Sequence, residues 1–311
     1  MPQKAVVTGG AGFIGSHLVD ALIARQVEVI AVDDLSSGSR DNLHPRATLV
    51  ELDIRERDLV NALFERERPS LVFHHAAQVN LRRSVREPAL DASINIIGTV
   101  NLLEACAKTG VSKFLLASSG GAVYGDQAPT PSPESVTPTP ASPYGVAKFA
   151  CERYLHCFAQ LHGFQWVALR YANVYGPRQS PHGEAGVVAI FASRLLAGDR
   201  PVINQPGTQT RDYVYVADCV AANLAAFESD RSGIYNVGTG QETDVLTIYR
   251  KLEALSGLSV SALPGPAQPG EQMRSCLDCG LARSELGWRS QVTLDDGLKR
   301  TLEWFRSQRT V

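Results

Sequence analysis

The sequence is poor in cysteine and has no run of lysine or arginine. Its six cysteines in 311 residues are too few for a disulfide-stabilised secreted domain. Its start, MPQKAVVTGG, leads straight into a predicted strand and lacks the apolar segment of a signal peptide. We therefore expect a reducing, cytoplasmic setting.

An excess of either charge is also missing. The 30 Lys+Arg and 32 Asp+Glu residues leave a formal net charge of −2, so we expect no electrostatic binding to nucleic acid or to a membrane. The 44% hydrophobic and 20% charged residues argue against a disordered or membrane-embedded chain. A length of 311 residues suggests two domains or one enlarged domain.

Residues that bind metals are too scattered to predict a metal site. Cys276 and Cys279 form a C-x-x-C pair, but no second Cys/His pair lies at zinc-ligand spacing. His74 and His75 are adjacent in a predicted strand and point to opposite faces. We expect at least one of them to pack in the core.

Short apolar runs alternate with helix-length segments through the first half of the chain. The pattern predicts strands at 4–8, 27–32, 49–52, 71–74 and 113–117, and helices at 14–24, 57–65 and 92–109. Strands separated by helical crossovers form a parallel sheet covered on both faces. The predicted class is therefore α/β, with a doubly wound parallel (Rossmann) sheet.

The later half of the chain is less regular. Six prolines between positions 127 and 143 exclude a helix or central strand there, and we expect an ordered loop over a site, because helical signals resume at Tyr144. A strand follows near 164–171, and beyond it the sequence is irregular and rich in proline and glycine. We predict a dinucleotide-binding domain at 1–172, to which 214–246 returns, and a smaller mixed α/β substrate domain at 173–311.

A glycine-rich turn follows the first predicted strand. Gly9, Gly12 and Gly15 give the spacing G-x-x-G-x-x-G before a helix, which lets the backbone approach a pyrophosphate at the helix N-terminus. Asp33 ends the second strand, 33 − 15 = 18 residues later, where a carboxylate accepts from a ribose 2′-hydroxyl. That carboxylate would repel a 2′-phosphate, so the predicted cofactor is NAD rather than NADP.

Tyr144 and Lys148 open the helix after the proline-rich segment. Their i, i+4 spacing places both side chains on one helix face. A nearby ammonium favours the phenolate, so the pattern predicts that Lys148 lowers the pKa of Tyr144 toward that of a general base.

These features, with Asn95 and Ser118–Ser119, resemble the short-chain dehydrogenase/reductase superfamily. Motifs of its extended branch span nearly the whole chain, and the closest resemblance is to UDP-glucose 4-epimerase-like nucleotide-sugar epimerases. The motifs lie at 33–36 (DDLS), 75–77 (HAA), 118–125 (SSGGAVYG), 170–178 (RYANVYGPR), 211–216 (RDYVYV) and 235–240 (YNVGTG).

The resemblance implies NAD-dependent 4-epimerisation of a UDP-hexose, a reaction of galactose metabolism, through a transient 4-keto sugar. Tyr144 would remove the 4-hydroxyl proton, and Lys148 would also hydrogen-bond the nicotinamide ribose. NAD would stay tightly bound and be regenerated in each turnover. Relatives commonly form homodimers through helices corresponding to 92–109 and 144–161. The residues expected at the cofactor are Gly9, Gly12, Phe13, Ile14, Gly15, Asp33, Asp34, Ser37, Gly38, Asp53, Ile54, His75, Ala76, Ala77, Asn95, Ser118, Tyr144, Lys148 and Tyr171.

One catalytic position departs from the family pattern. The usual Ser or Thr four residues before the Tyr of V-Y-G is Gly120 here. A subset with Ser/Thr-Gly-Gly-Ala carries the hydroxyl one residue earlier, so Ser119 is expected to orient the substrate hydroxyl, with Ser118 or a water as the alternative. Position 122 is Ala, where 4,6-dehydratases and UDP-glucuronate decarboxylases carry an acid.

The resemblance also implies residues for a UDP-sugar. Arg211 and Arg274 would bind the diphosphate bidentately, with more of the load on Arg274 because Gln268 stands where many relatives have Arg. A small Ser275 behind the sugar 2-substituent suggests that UDP-GlcNAc and UDP-GalNAc also fit. The remaining expected contacts are Asn173 with the diphosphate or sugar, Val187, Val202 and Asn204 with uridine, and Glu271 with its ribose.

Several other functions fit the same motifs. The nearest is a UDP-glucuronate 4-epimerase, and a nucleotide-sugar dehydratase or reductase of the same superfamily is a further alternative. A second class is a net dehydrogenase or reductase that consumes NAD, which retention of NAD through purification would oppose. Intact Tyr144 and Lys148, with Arg211 and Arg274, argue against a non-catalytic NAD-sensing or RNA-associated member.

Overall fold

The computed structural model describes residues 3–182, 186–267 and 272–309. Its largest feature is a seven-stranded sheet in the order β10-β6-β5-β4-β1-β2-β3, in which every neighbouring pair is parallel. The strands are β1 (Lys4–Thr8), β2 (Glu28–Asp33), β3 (Thr48–Glu51), β4 (Leu71–His74), β5 (Lys113–Ser119), β6 (Gln165–Tyr171), β7 (Asn173–Tyr175), β8 (Val202–Asn204), β9 (Thr210–Tyr215), β10 (Gly233–Val237), β11 (Glu242–Asp244), β12 (Leu263–Gly265) and β13 (Arg274–Ser275). This order confirms the predicted doubly wound fold.

Helices cover both faces of the large sheet. They are α1 (Phe13–Ala24), α2 (Arg57–Glu67), α3 (Leu81–Arg86), α4 (Pro88–Ala92), α5 (Gly98–Thr109), α6 (Gly120–Val123), α7 (Pro143–His162), α8 (Val187–Ala197), α9 (Val216–Glu228), α10 (Val245–Ser256), α11 (Gly280–Leu286) and α12 (Leu294–Ser307). Helices α1, α9 and α11 contribute to the core on one face, and α2, α5 and α7 to the core on the other. The middle residues of β2 (29–32) and β5 (114–117) are all apolar and buried, as expected for strands that are covered on both faces.

Helix α7 begins where its sequence supplies a start signal. The Ser142 hydroxyl accepts from the Gly145 N–H at 3.1 Å, and Pro143 occupies the first turn, where its missing N–H costs nothing. Gly163, with φ at +75°, ends the helix in the left-handed conformation. These caps hold Tyr144 and Lys148 in the first turns of a long helix.

The predicted single helix at 92–109 is instead three consecutive helical pieces. Helix α4 begins at Pro88, and a π-helical turn at Ser93–Ile97 joins it to α5. The Asn95 carbonyl accepts from the Thr99 hydroxyl at 2.6 Å and from the Cys151 thiol at 3.2 Å. Side chains thus satisfy a carbonyl in the widened turn, which apolar spacing alone does not predict.

A smaller unit lies beside the large sheet. Strand β9 pairs with β7, β11 and β13, and β8 pairs with β12. Helices α8, α10 and α12 form its core around Phe191, Ile248 and Leu298. Between β9 and β11 the chain goes back to the large sheet, where α9 packs on α1 and β10 pairs with β6. We propose a domain division near residue 172 in which the returning part is α9 and β10.

The proline-rich segment runs between α6 and α7 as a loop. It is held by backbone hydrogen bonds of Ser132 with Cys276 and Asp278, at 2.9 and 3.0 Å. No helix in the described residues is long and apolar enough to cross a membrane.

Candidate active site

The glycine-rich turn lies where the strand order reverses, between β1 and β4. Gly9 has φ at +67°, and a Cβ on Gly15 would lie only 2.0 Å from the Gly9 carbonyl oxygen. Gly12 stands at the N-cap of α1 and has no side chain to cover the first-turn N–H groups. The turn is therefore a cradle that accommodates a pyrophosphate against the helix N-terminus, and these residues fit the predicted dinucleotide.

Asp33 braces this cradle from the end of β2. Its carboxylate accepts from the Ala11 N–H at 3.0 Å and from the Leu35 N–H at 2.9 Å, and burial raises its pKa. Gly38 approaches it so closely that a Cβ there would lie 2.8 Å from the carboxylate. Asp34 and Ser37, also expected at the cofactor, are exposed beside it.

The residues expected near the adenine have different surroundings. The Asp53 carboxylate forms an ion pair with Arg55, which lowers the pKa of Asp53. Ile54 is buried and packs against Gly98 at the start of α5. Phe13 and Ile14, in the first turn of α1, pack against the core of the smaller unit.

The two histidines that end β4 have separate roles. His74 is buried, with Nδ1 2.7 Å from the Thr8 hydroxyl and Nε2 2.9 Å from the Thr99 hydroxyl, which confirms the prediction that at least one packs in the core. His75 stacks on Tyr171. The described residues contain no cluster of three or more His, Cys, Asp or Glu that could hold a metal.

The segment after β4 runs directly beside the cradle. A Cβ on Gly9 would lie 2.7 Å from the Ala76 nitrogen, and the Ala76 N–H donates to the Thr8 hydroxyl at 3.2 Å. The Asn95 side chain holds the next part of this segment, since it bonds both the N–H and the carbonyl of Gln78, at 2.9 and 3.0 Å. Its amide also donates to Asp91. The Asn95 side chain thus shapes the segment from within the protein.

The three predicted catalytic residues meet at the carboxyl end of β5. Ser119 hydrogen-bonds the phenol of Tyr144. The Lys148 ammonium lies 5.9 Å from the centre of the Tyr144 ring and donates to the Ala117 carbonyl at 2.8 Å. The arrangement places a phenol, a hydroxyl and an ammonium together at the sheet edge where the cradle also lies.

The predicted lowering of the phenol pKa is wrong for the protein alone. Burial raises the pKa of Tyr144 to about 12, and the carboxylate of Asp91 adds to the rise, while the Ser119 hydrogen bond offsets part of it. The Lys148 ammonium faces a backbone carbonyl, and burial lowers its own pKa. Desolvation of the phenol therefore outweighs the i, i+4 cation on which the sequence argument rested.

Ser118 is not an alternative to Ser119, because its hydroxyl lies on the other side of β5. It donates to the Glu152 carboxylate at 2.6 Å inside the protein. Neighbouring residues of a strand face opposite ways, so Ser118 is left with only its backbone for any contact with the cofactor.

Most residues expected at the substrate line one cavity of about 210 Å³. Asn173, Val187, Val202, Asn204 and Arg211 all border it. The sequence reasoning missed Ile190, Phe191, Gln209, Tyr213 and Val245 on the same walls. Ile190 and Phe191 follow Val187 at i+3 and i+4 on α8, a spacing that points to the same helix face.

The remaining substrate residues lie on β13, next to β9. Ser275 pairs with Arg211, and Arg274 pairs with Thr210. Arg274 is exposed and its guanidinium forms an ion pair with Glu242 of β11, so binding a diphosphate would require it to leave that partner. The expected Glu271 lies outside the described residues.

The Gly15→Ala variant is expected to lose bound NAD, because its new methyl group would collide with the Gly9 carbonyl and open the cradle. The measurement is the NAD released from acid-denatured protein, per chain. Gly233→Ala is the matched control, since a Cβ there makes only ordinary 3.4 Å contacts. A full complement of NAD in Gly15→Ala would contradict this assignment.

Comparison with known proteins agrees with this geometry. Residues 5–238 match the model of the NAD dependent epimerase/dehydratase family. The UDP-glucose 4-epimerase of Mycolicibacterium smegmatis is 44% identical over 98% of this chain and 99% of its own. Two crystal structures of UDP-glucose 4-epimerases are similar throughout. That of Thermotoga maritima, with UDP-glucose, has a TM-score of 0.97 at 47% identity, covering 99% of this chain and 100% of that one. That of Thermus thermophilus, with NAD, has a TM-score of 0.93 at 42% identity, covering 98% and 99%.

These matches confirm the resemblance drawn from the motifs and the choice of NAD as cofactor. The cradle, the acid at the end of β2 and the Tyr144–Lys148 pair are the local features that correspond to it. The chain belongs to the NAD-dependent epimerase/dehydratase family, within the extended short-chain dehydrogenase/reductase superfamily.

Proposed function

We propose that this protein is a UDP-hexose 4-epimerase that interconverts UDP-glucose and UDP-galactose. The observation that carries the proposal is that Ser119, with Tyr144 and Lys148, lies at the sheet edge that also holds the glycine cradle, while nearby Gly121 lies beside Asn173, which borders the cavity. A hexose whose nucleotide occupies that cavity would present its ring to the phenol. Near-identical architecture in the two epimerase structures supports the same reaction.

NAD held by the cradle of Gly9, Gly12 and Gly15 would supply the hydride acceptor and donor that the reaction needs. Tyr144 takes the 4-hydroxyl proton as the ketone forms and gives it back when the ketone is reduced. Ser119 orients that hydroxyl and stabilises the phenolate by hydrogen bonding. Lys148 holds the nicotinamide ribose and adds positive charge near a phenol whose pKa is too high for a base in the protein alone.

The diphosphate is the part of the substrate that needs cations. Arg211 borders the cavity, and Arg274 lies on the adjacent strand β13, where it pairs with Thr210, the residue before Arg211. Val187 and Val202 offer apolar contacts to the uracil ring, and Asn204 offers a hydrogen bond. These contacts hold the nucleotide while the hexose turns between its two faces.

The absence of an acid at Ala122 supports epimerisation over elimination or decarboxylation. Position 122 lies in α6, directly before the V-Y-G segment at 123–125. Without a carboxyl group there, the ketone formed by Tyr144 is only reduced again.

We also propose a cytoplasmic homodimer. Its interface would include α7 and the π-helical turn before α5, which pack on each other and expose Ile97, Val146 and Leu161 by half or more of their surface. Burying these apolar side chains between two chains would favour association.

The proposal is tested by incubating the purified protein with UDP-glucose, UDP-GlcNAc and UDP-glucuronate in separate reactions and resolving the sugars. We expect UDP-galactose from UDP-glucose, without added NAD and without NADH accumulation in solution. Tyr144→Phe is expected to lower kcat by about 100-fold or more, whereas Tyr154→Phe, exposed on the same helix, keeps it. Full activity in Tyr144→Phe, or stoichiometric NADH release, would refute the assignment.

Ser119→Ala is expected to lower kcat by about 10- to 100-fold, because the phenol loses the hydrogen bond that lowers its pKa. KM for UDP-glucose should change little, since the residues expected to contact the uridine and the diphosphate do not include Ser119. Steady-state kinetics check both values. Undiminished turnover would remove Ser119 from the mechanism.

Ser275 controls the space behind the sugar in this proposal. Its hydroxyl and the Asn173 amide oxygen lie 3.9 and 3.8 Å from where a Cβ on Gly121 would stand, so the three residues border one space. We expect the wild type to convert UDP-GlcNAc as well. Ser275→Tyr should abolish that activity and leave UDP-glucose turnover within about threefold, as a steric change confined to the 2-substituent predicts. No UDP-GlcNAc turnover in the wild type would contradict the proposal.

A further inference from the structure

A fully buried ion pair lies beneath the candidate catalytic residues. Arg170 is 2% exposed and Glu152 is 0% exposed. The guanidinium donates twice to the carboxylate, from Nε to Oε1 at 2.9 Å and from Nη2 to Oε2 at 2.7 Å. Because both side chains are surrounded by protein, the ion pair contacts neither NAD nor substrate in the proposed mechanism.

The ion pair joins helix α7 to strands β5 and β6, which carry the candidate site. Glu152 lies on α7, one turn after Lys148 and two turns after Tyr144, so all three side chains share one helix face. Arg170 lies on β6, paired with Ser118 of β5. The Ser118 hydroxyl donates to Glu152 Oε1 at 2.6 Å, so one carboxylate holds both strands against the helix.

Ser118 connects this ion pair to the residues proposed to react with the substrate. It directly precedes Ser119, whose hydroxyl bonds the Tyr144 phenol on the opposite side of the strand. If Ser118 is released from Glu152, the end of β5 keeps its pairing with β6 but loses this side-chain contact, which allows Ser119 to shift relative to the phenol. A displacement of a few tenths of an ångström matters in a site that works by alignment.

The other side of Arg170 is also fixed. Its guanidinium stacks over the Tyr124 ring at 4.8 Å, and the Tyr124 hydroxyl donates to the Asn236 side chain at 2.7 Å. Asn236 in turn donates to the Ser132 carbonyl in the proline-rich loop. The charge pair therefore cannot move independently of the elements around the site.

A buried ion pair is weak evidence for stability, because desolvating two charges offsets much of their attraction. We propose that Glu152, through Ser118 and with Arg170, is a positioning residue that sets the Ser119 hydroxyl against Tyr144 for the 4-epimerase reaction. This inference rests on the proposed function. It concerns alignment of the reacting groups, and neither residue touches substrate.

The test is a double-mutant cycle with Ser118→Ala, Ser119→Ala and the double variant. Ser118→Ala keeps the ion pair and removes only the tie to β5. We expect kcat for UDP-glucose to fall about tenfold in Ser118→Ala, with KM and NAD content within about twofold of the wild type. In the double variant, kcat should equal that of Ser119→Ala, because Ser118 acts through Ser119.

Ser256→Ala is the matched control. Ser256 is buried and its hydroxyl donates to a backbone carbonyl at 2.7 Å at the end of α10. Its loss should leave kcat unchanged. Thermal unfolding of all variants separates a general loss of stability from misalignment, since the former also lowers bound NAD and the fraction of folded protein.

The outcomes separate the inference from the function on which it rests. The positioning role would be overturned if the two substitutions lowered kcat by factors that multiply in the double variant. It would also be overturned if Ser118→Ala kept the wild-type kcat. Both outcomes would leave the epimerase assignment intact. Absence of UDP-glucose turnover in the wild type would overturn both.

Discussion

The parallel direction of all seven strands is the constraint on which the site depends. In such a sheet every strand ends at the same edge, so residues far apart in sequence become neighbours. Gly9 follows β1, Asp33 ends β2, His75 follows β4 and Ser119 ends β5. Reversal of strand order between β1 and β4 opens the crevice that the glycine cradle borders, and α7 then needs only to bring Tyr144 and Lys148 to that edge.

The sequence predicted the features that follow from local rules. Glycine spacing, the acid after β2 and alternating apolar runs indicated the doubly wound fold and the ends of its strands to within a residue or two. Features decided by distant contacts were not predictable in this way. The π-helical turn at Ser93–Ile97 exists where Thr99 and Cys151 satisfy the Asn95 carbonyl, and the Arg274 ion pair with Glu242 joins strands that only the fold makes adjacent.

Tyr144 and Lys148 show the same difference between what local rules predict and what distant contacts decide. Helical spacing correctly placed Tyr144 and Lys148 on one face, but the effect on the phenol depended on how much water each group lost. Burial raises the pKa of Tyr144 and lowers that of Lys148, so the loss of water opposes the charged form of both groups in the protein alone. Likewise, only the contacts in the folded protein show that Ser118 faces Glu152 while Ser119 faces the phenol.

The proline-rich loop has a consequence for the order in which the chain acquires its structure. Ser132 is held by backbone contacts with Cys276 and Asp278, which are at least 276 − 132 = 144 residues downstream. During synthesis β1 to β6 emerge long before these partners, so Ser132 lacks both backbone contacts until the chain has passed residue 278. These contacts of the proline-rich loop therefore belong to the end of synthesis, whereas the residues of the cradle are among the first to be made.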